Sequence, residues 1–246
     1  MKSFKQFLDE SQWMYHGSTK NDLTHLKPDR SEYMVDRAIG SHFAADPSVS
    51  QRFATGANKS RTPDKQGTVY RTKAPPRSQL KVIRQKVYPH GAMESDQNAI
   101  DSHVLSTVMS RPENKDLFVR WAKRNRNLDD KTAEDLHAHL SAGKAPADRE
   151  RFGTSYHRNG SFRSFFSNYG TGLYDEGMRK EVVDKYLGIM REKGIKGLVY
   201  HNTAPMETEH LPSDNPKSDR ARKAGQRGSR KSYVIFDPEH HPLEKT

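Results

Sequence analysis

The sequence predicts an α+β chain, and three observations carry that expectation. Strand signals recur near both ends, as apolar and polar alternation at 67–72 and as a β-branched and aromatic run at 233–236. Between them, residues 95–192 place apolar side chains at helical spacing. The strand-rich ends are thus separated by a helical insertion.

Taken in order, Trp13-Met14-Tyr15 is a short apolar run that reaches Gly17 and predicts a strand. Asp46-Pro47-Ser48 signals a helix start, with Asp at the cap and Pro in the first turn; that helix carries Val49, Phe53 and Ala54. Gly67 to Thr72 predicts a second strand, and Lys81-Val82-Ile83 a third, after the turn at Pro75-Pro76. Otherwise residues 13–90 read as strands and turns.

Ile100, Val104, Leu105, Val108 and Met109 predict a helix ended by Ser110-Arg111-Pro112. Leu117, Phe118, Trp121 and Leu128 predict another, and Asp130 to Leu140 a third, stopped by Gly143. Residues 151–172, rich in Gly, Ser, Asn and aromatics, are expected as ordered loop. Met178 to Lys193 is amphipathic through Val182, Val183, Tyr186, Leu187 and Met190, with Gly194 as its cap. Strand character returns at 195–201, and Tyr233-Val234-Ile235-Phe236, ended by Asp237-Pro238, is the strongest strand signal of all.

Composition narrows the function classes. The chain has 246 residues and a formal net charge of +11, from 42 basic and 31 acidic side chains. Hydrophobic residues make up 32% and mean hydropathy is −1.02, which predicts a modest core and long solvated loops. No run approaches the roughly 20 apolar residues of a membrane span, so no membrane partner is expected. With 0 Cys, disulfides, thiolate zinc sites and Cys nucleophiles are excluded. The positive excess favours acidic partners such as nucleic acid or phosphorylated ligands. It concentrates in the connection from 202 to 231, where over 217–231 Lys217, Arg220, Arg222, Lys223, Arg227, Arg230 and Lys231 face a single acid, Asp219. That connection (203–231) is either a solvated loop or an acceptor surface, with nucleic-acid contact falling to 217–231.

Generic catalytic patterns are missing: no His-Glu-x-x-His, no phosphate-binding loop ending in Gly-Lys-Ser/Thr, no Gly-x-Ser-x-Gly. His137 and His139, two apart on a predicted helix, face different directions, and His240-His241 reads as a surface pair; no metal site is expected.

One ordered constellation stands apart. Tyr15-His16-Gly17-Ser18 closes the first strand. Gly40-Ser41-His42-Phe43-Ala44-Ala45-Asp46-Pro47-Ser48-Val49-Ser50-Gln51-Arg52-Phe53 reads as strand, turn and helix. Ser232-Tyr233-Val234-Ile235-Phe236-Asp237 comes last. In this order they resemble the three motifs of the ADP-ribosyltransferase superfamily, in its diphtheria-toxin and poly-ADP-ribose-polymerase-like branch. The strand Gly194-Ile195-Lys196-Gly197-Leu198-Val199-Tyr200 is similar to one in the ADP-ribosyltransferase-like domains of phage polyvalent proteins. The resemblance covers roughly 13–90 and 193–246 and leaves the helical middle unmatched. It implies a split β-sandwich, two small and mostly antiparallel sheets around an NAD cleft. The halves are then 11–92 and 193–246, with a helical insertion at 93–192.

The resemblance also implies roles. His16 bonds the adenosine ribose and the Gly17 backbone pairs with the nicotinamide amide, with Tyr15 and Ser18 flanking them. Phe53 stacks on nicotinamide where the family often has Tyr, keeping the aromatic face and losing the hydroxyl. Ser50, one turn earlier, bonds the amide; His42, where relatives commonly carry Tyr, and Phe43 complete the NAD-binding set. The reaction transfers ADP-ribose from NAD, a substrate here, through an oxocarbenium-like state whose positive charge must be stabilised. At the third motif the sequence departs from the pattern, since Ser232 stands where polymerase-type members place Glu. Losing one such electrostatic partner costs on the order of 3–4 kcal/mol, a hundredfold or more in rate. Chain-forming activity is therefore not expected, while mono-ADP-ribosylation, slow glycohydrolase activity and binding alone stay open. Glu207 and Glu209, in the polar connection, are either two solvated acids or the source of the missing carboxylate.

Residues 1–10, Met1 to Glu10, place Phe4, Phe7 and Leu8 at helical spacing and lack the apolar core of a secretory signal. The segment reads as a frayed helical turn. It also resembles the capsid-targeting leader of internal proteins in T-even-type bacteriophages, which a prohead protease cuts after Leu/Ile-x-Glu; Leu8-Asp9-Glu10 has that form. That resemblance implies a virion-interior protein injected into the host cytoplasm. Two functions follow as expectations: an NAD-dependent mono-ADP-ribosyltransferase acting on an unidentified host protein or nucleic acid, or a non-catalytic basic virion protein on a degenerate version of the fold.

Overall fold

A computed structural model of the chain describes residues 13–28, 34–54, 67–85, 94–143, 161–169, 173, 175–201 and 231–246. It is mixed α+β. The strands are β1 (Trp13–Ser18), β2 (Ser41–Ala44), β3 (Thr68–Lys73), β4 (Leu80–Val82), β5 (Gly197–His201), β6 (Lys231–Ile235) and β7 (Glu244–Lys245). The α-helices are α1 (Val35–Ile39), α2 (Pro47–Ala54), α3 (Asp96–Met109), α4 (Lys115–Arg126), α5 (Asp130–Ser141), α6 (Phe162–Tyr169) and α7 (Glu176–Glu192).

The seven strands form one sheet in the order β4-β5-β6-β2-β1-β3-β7. All pairs are antiparallel except β4–β5, whose strands are joined through the helical stretch of the chain, as a parallel pair requires a long crossover. The expectation of two sheets is corrected here, because hydrogen bonding runs through all seven strands. The continuity is slender at one place. β1 and β2 share a single register pair, Tyr15↔Ala44, while β1–β3 runs from Trp13↔Lys73 to Ser18↔Thr68 and β2–β6 from Ser41↔Ile235 to Ala44↔Ser232. The sheet thus has a seam between β4-β5-β6-β2 and β1-β3-β7.

Two compact units divide the chain: residues 1–29, 39–96 and 190–246 form one, and 30–38 with 97–189 the other. In the first, strand alternation directs Met14, Phe43, Tyr233 and Ile235 into one buried cluster edged by Leu26, Ala74, Leu80, Val199 and Leu243. Its helix α2 starts where Asp46 Oδ1 accepts the Ser48 N–H at 2.8 Å, and Pro47 gives up only an N–H that has no helical partner.

The helical unit is held by an aromatic core of Phe118, Trp121, His137, Phe162, Phe165 and Phe166, whose rings meet mostly edge to face at 5.0–6.4 Å between centroids. Helix α6 corrects the expected loop at 151–172, of which 151–160 and 170–172 lie outside the described residues. Its Phe162, Phe165 and Phe166 follow i, i+3, i+4 spacing, and Ser161 Oγ accepts the Ser164 N–H at its start. His137 is a core residue, donating to or accepting from neighbours within the unit: its Nε2 lies 3.0 Å from the Met109 carbonyl, so that nitrogen carries the proton. Helix α7 ends as its glycine predicts. Gly194 has φ +66°, its N–H bonds the Arg191 carbonyl, and the Ile195 N–H reaches the Met190 carbonyl at 2.9 Å.

Candidate functional site

The site begins at the seam. Past Tyr15↔Ala44, β1 continues as His16, Gly17 and Ser18 paired to β3 alone. Backbone groups of this stretch that face away from β3 therefore have no strand partner among the described residues. At this point a side chain takes over from the ladder: His16 Nδ1 lies 3.0 Å from the His42 carbonyl. A carbonyl only accepts, so Nδ1 carries the proton and Nε2 is left as a lone-pair acceptor. Burial pushes the His16 imidazole below its ordinary value, outweighing the opposing bond to His42, so the ring is neutral at pH 7. Its edge meets the ring of Phe43 at 5.8 Å.

Gly17 seats the helix. A Cβ at Gly17 would stand 1.8 Å from the Ser50 carbonyl oxygen and 2.8 Å from the Ala54 nitrogen, so α2 lies directly on β1. Gly67 does the same from β3's side, where a Cβ would stand 1.8 Å from the Ala54 carbonyl oxygen. Both glycines are needed for close approach of backbones rather than for an unusual φ. On this helix Val49, Ser50 and Ala54 are buried, while Phe53 is 53% exposed. Burying a phenylalanine is worth roughly 1.5–3 kcal/mol, so an exposed ring beside a built backbone notch is an open aromatic face.

His42 and Tyr200 form a second polar contact, Nδ1 to phenol oxygen at 3.1 Å, joining β2 to β5 over β6. Their neighbour in the register is Ser232, which stands directly opposite Ala44 on one side and Tyr200 on the other. Ser232 is 4% exposed. Two strand spacings, about 10 Å, separate it from β1.

The structure bonds His16 to the His42 backbone and seats Ser50 of α2 on Gly17, with the exposed Phe53 on the same helix and with Tyr15 and Ser18 on the same strand as His16. Tyr15 is half-buried between Ala44 and Arg71, and Ser18 Oγ accepts the Lys20 N–H at 3.0 Å. Phe43 is 3% exposed and packs in the core cluster. Ser232 is likewise buried, as is Ser50. Glu207 and Glu209, the basic connection at 217–230 and residues 1–10 lie outside the described residues. Tyr200 receives no role from the sequence reading, although it ends a quoted strand; nothing local announces a partner 158 residues away. Gly67 is a second omission, and its position just before an alternating strand was the available signal.

Among the described residues no group of three or more His, Asp or Glu is placed to hold a metal ion, and no helix is long and apolar enough to cross a membrane. The cluster's chemistry is that of a binding notch: a neutral imidazole acceptor, unpaired strand backbone, a buried hydroxyl and an exposed ring. Compared with known proteins, the chain matches no family model, no curated protein and no solved structure.

Proposed function

We propose that the chain is an NAD-dependent mono-ADP-ribosyltransferase, packaged in a phage virion and delivered to a bacterial host, where it modifies a host macromolecule. One observation carries the reading. The strand bearing His16 and Gly17 leaves its ladder where a helix, seated on Gly17, holds Ser50 buried and Phe53 exposed. A ribose hydroxyl can donate to His16 Nε2, a planar carboxamide can pair with the free strand backbone, and a nicotinamide ring can lie on Phe53. Holding the dinucleotide this way strains no covalent bond of the protein; it fixes the nicotinamide so that the bond to ribose C1′ can break. The nicotinamide leaves with the bonding electrons, and a nucleophile of the acceptor attacks C1′ and loses its proton. No carboxylate among the described residues joins the cluster, which supports slow single transfers rather than chain growth.

The burial and neutrality of Ser232 favour a second reading, a non-catalytic binding protein on the same scaffold. Incubating the full chain with NAD labelled in the adenylate and bacterial host lysate separates the two. Covalent label that disappears in Phe53→Ala and His16→Ala supports transfer. If no label is attached and nicotinamide release stays at the level of those variants, the catalytic reading fails in that lysate.

A further inference from the structure

We propose that one face of the β1–β3 pair is a stacking platform for single-stranded nucleic acid, built from Trp13, Tyr15, Arg71 and Lys73. This goes beyond the NAD reading and does not depend on it. In an antiparallel pair, residues directly opposite one another share a face. The register sets Trp13 opposite Lys73 and Tyr15 opposite Arg71, so two rings about 7 Å apart along one strand are interleaved with two cations on the next. The other face of the pair is core, with Met14, Tyr70 and Thr72 buried.

The contacts arrange this face for a ligand carrying both planar rings and negative charge. The Arg71 guanidinium lies 4.3 Å from the centre of the Trp13 ring and the Lys73 ammonium 6.0 Å from it. Glu244 pins the guanidinium by accepting from its Nε at 3.1 Å, which leaves the two terminal nitrogens without a partner among the described residues. Those nitrogens form the fork that grips a phosphate. The Arg71 side chain is 41% exposed, and Lys73 is exposed with no ion-pair partner among the described residues. On a chain of net charge +11, an exposed lysine and a guanidinium with two open terminal nitrogens, beside two half-buried rings, fit a strand whose bases stack and whose phosphates need neutralising.

The chain supplies its own probe. It has two tryptophans, and Trp121 is fully buried, so quenching of intrinsic fluorescence by a ligand reports Trp13. The full chain is titrated with a twelve-residue oligothymidylate and, in parallel, with heparin and polyglutamate, which carry charge without bases. The proposal expects quenching by the oligonucleotide alone. Trp13→Ala should weaken oligonucleotide binding about tenfold or more and leave heparin binding unchanged. Arg71→Gln with Lys73→Gln should flatten the salt dependence by about 1.4, from about 0.7 per phosphate on a single strand. If Trp13→Ala does not fold, wild-type quenching and the double surface variant decide. Oligonucleotide binding without quenching would overturn the proposal, assigning affinity to other cations. So would polyglutamate quenching as strongly as the oligonucleotide, or no binding at all at low salt.

Discussion

Replacing Gly17 by alanine tests the geometry on which the site depends, without presupposing any ligand. The new Cβ would meet the Ser50 carbonyl oxygen at 1.8 Å and the Ala54 nitrogen and Ser50 carbonyl carbon at 2.8 Å. All three are backbone atoms of one helix, so no flexible side chain can move aside. To reach even a tight 3.0 Å contact, α2 has to retreat by more than 1 Å, or β1 has to bend toward the core. Overpacking of this kind costs about 1–3 kcal/mol, and a rigid backbone clash belongs at the upper end. In a chain of this size that lowers Tm by roughly 6–12 °C. The matched control is Gly188→Ala, inside α7, where the added methyl meets nothing within 4 Å. Relief of the helical glycine should stabilise by about 0.5–1 kcal/mol and raise Tm slightly. Differential scanning calorimetry of the two variants beside the wild type is the assay. Equal melting temperatures for Gly17→Ala and wild type would refute the seating of α2 on β1, and the site with it. Where NAD protects the wild type, Gly17→Ala should also lose that protection, about 2.7 kcal/mol at a hundredfold excess over Kd.

Phe53→Ala should leave Tm within the range of about 0.5 kcal/mol typical of surface changes, yet abolish NAD-dependent thermal protection; retained protection would remove Phe53 from the site. Burial holds His16, His137 and His241 below the ordinary imidazole value, so the unfolded chain binds more protons than the fold below about pH 6.5. Stability is therefore full above that pH and falls as pH drops through the depressed values. Melting temperatures should hold from pH 8 to about pH 7 and decline from there to pH 5, and His137→Gln should make the decline shallower. Asp129 caps α5 by accepting the Thr132 N–H at 2.7 Å, so Asp129→Ala should cost about 1 kcal/mol, read as a Tm lower by 2–4 °C.

Much of the fold is legible where the signal is local. Asp46-Pro47 starts α2, Gly194 ends α7, and the β-branched and aromatic run at 233–236 falls within β6 and its continuation. The elements that escape the sequence lack such a signal. Helix α1 spans five residues, too few to show a period, and β7 spans two, held by Tyr70↔Lys245 and by the Thr246 N–H on the Val69 carbonyl. Helix α6 was hidden by its glycine- and serine-rich surroundings, although its phenylalanine spacing was visible. Of the site, the individual side chains were legible as motifs, but their packing was not. Gly17 needs Ser50, and His42 needs Tyr200, across separations that no window of sequence spans.

The seam explains why the site lies where it does and which variant can test it. A sheet held across one register pair must complete its hydrogen bonding by other means at the place where the strands part. His16 does this by donating Nδ1–H to the His42 carbonyl, so the same imidazole closes the sheet and turns Nε2 outward from that bond as an acceptor. Removing His16 thus deletes a part-buried hydrogen bond to the His42 carbonyl, at about 0.5–1.5 kcal/mol, whatever the ligand. Loss of activity in His16→Ala is ambiguous between a broken seam and a lost ribose contact. Phe53 has no such double duty, because its ring is exposed and α2 is seated through Ser50 and Ala54 instead. The exposed ring, rather than the buried imidazole, is the position at which binding and folding come apart.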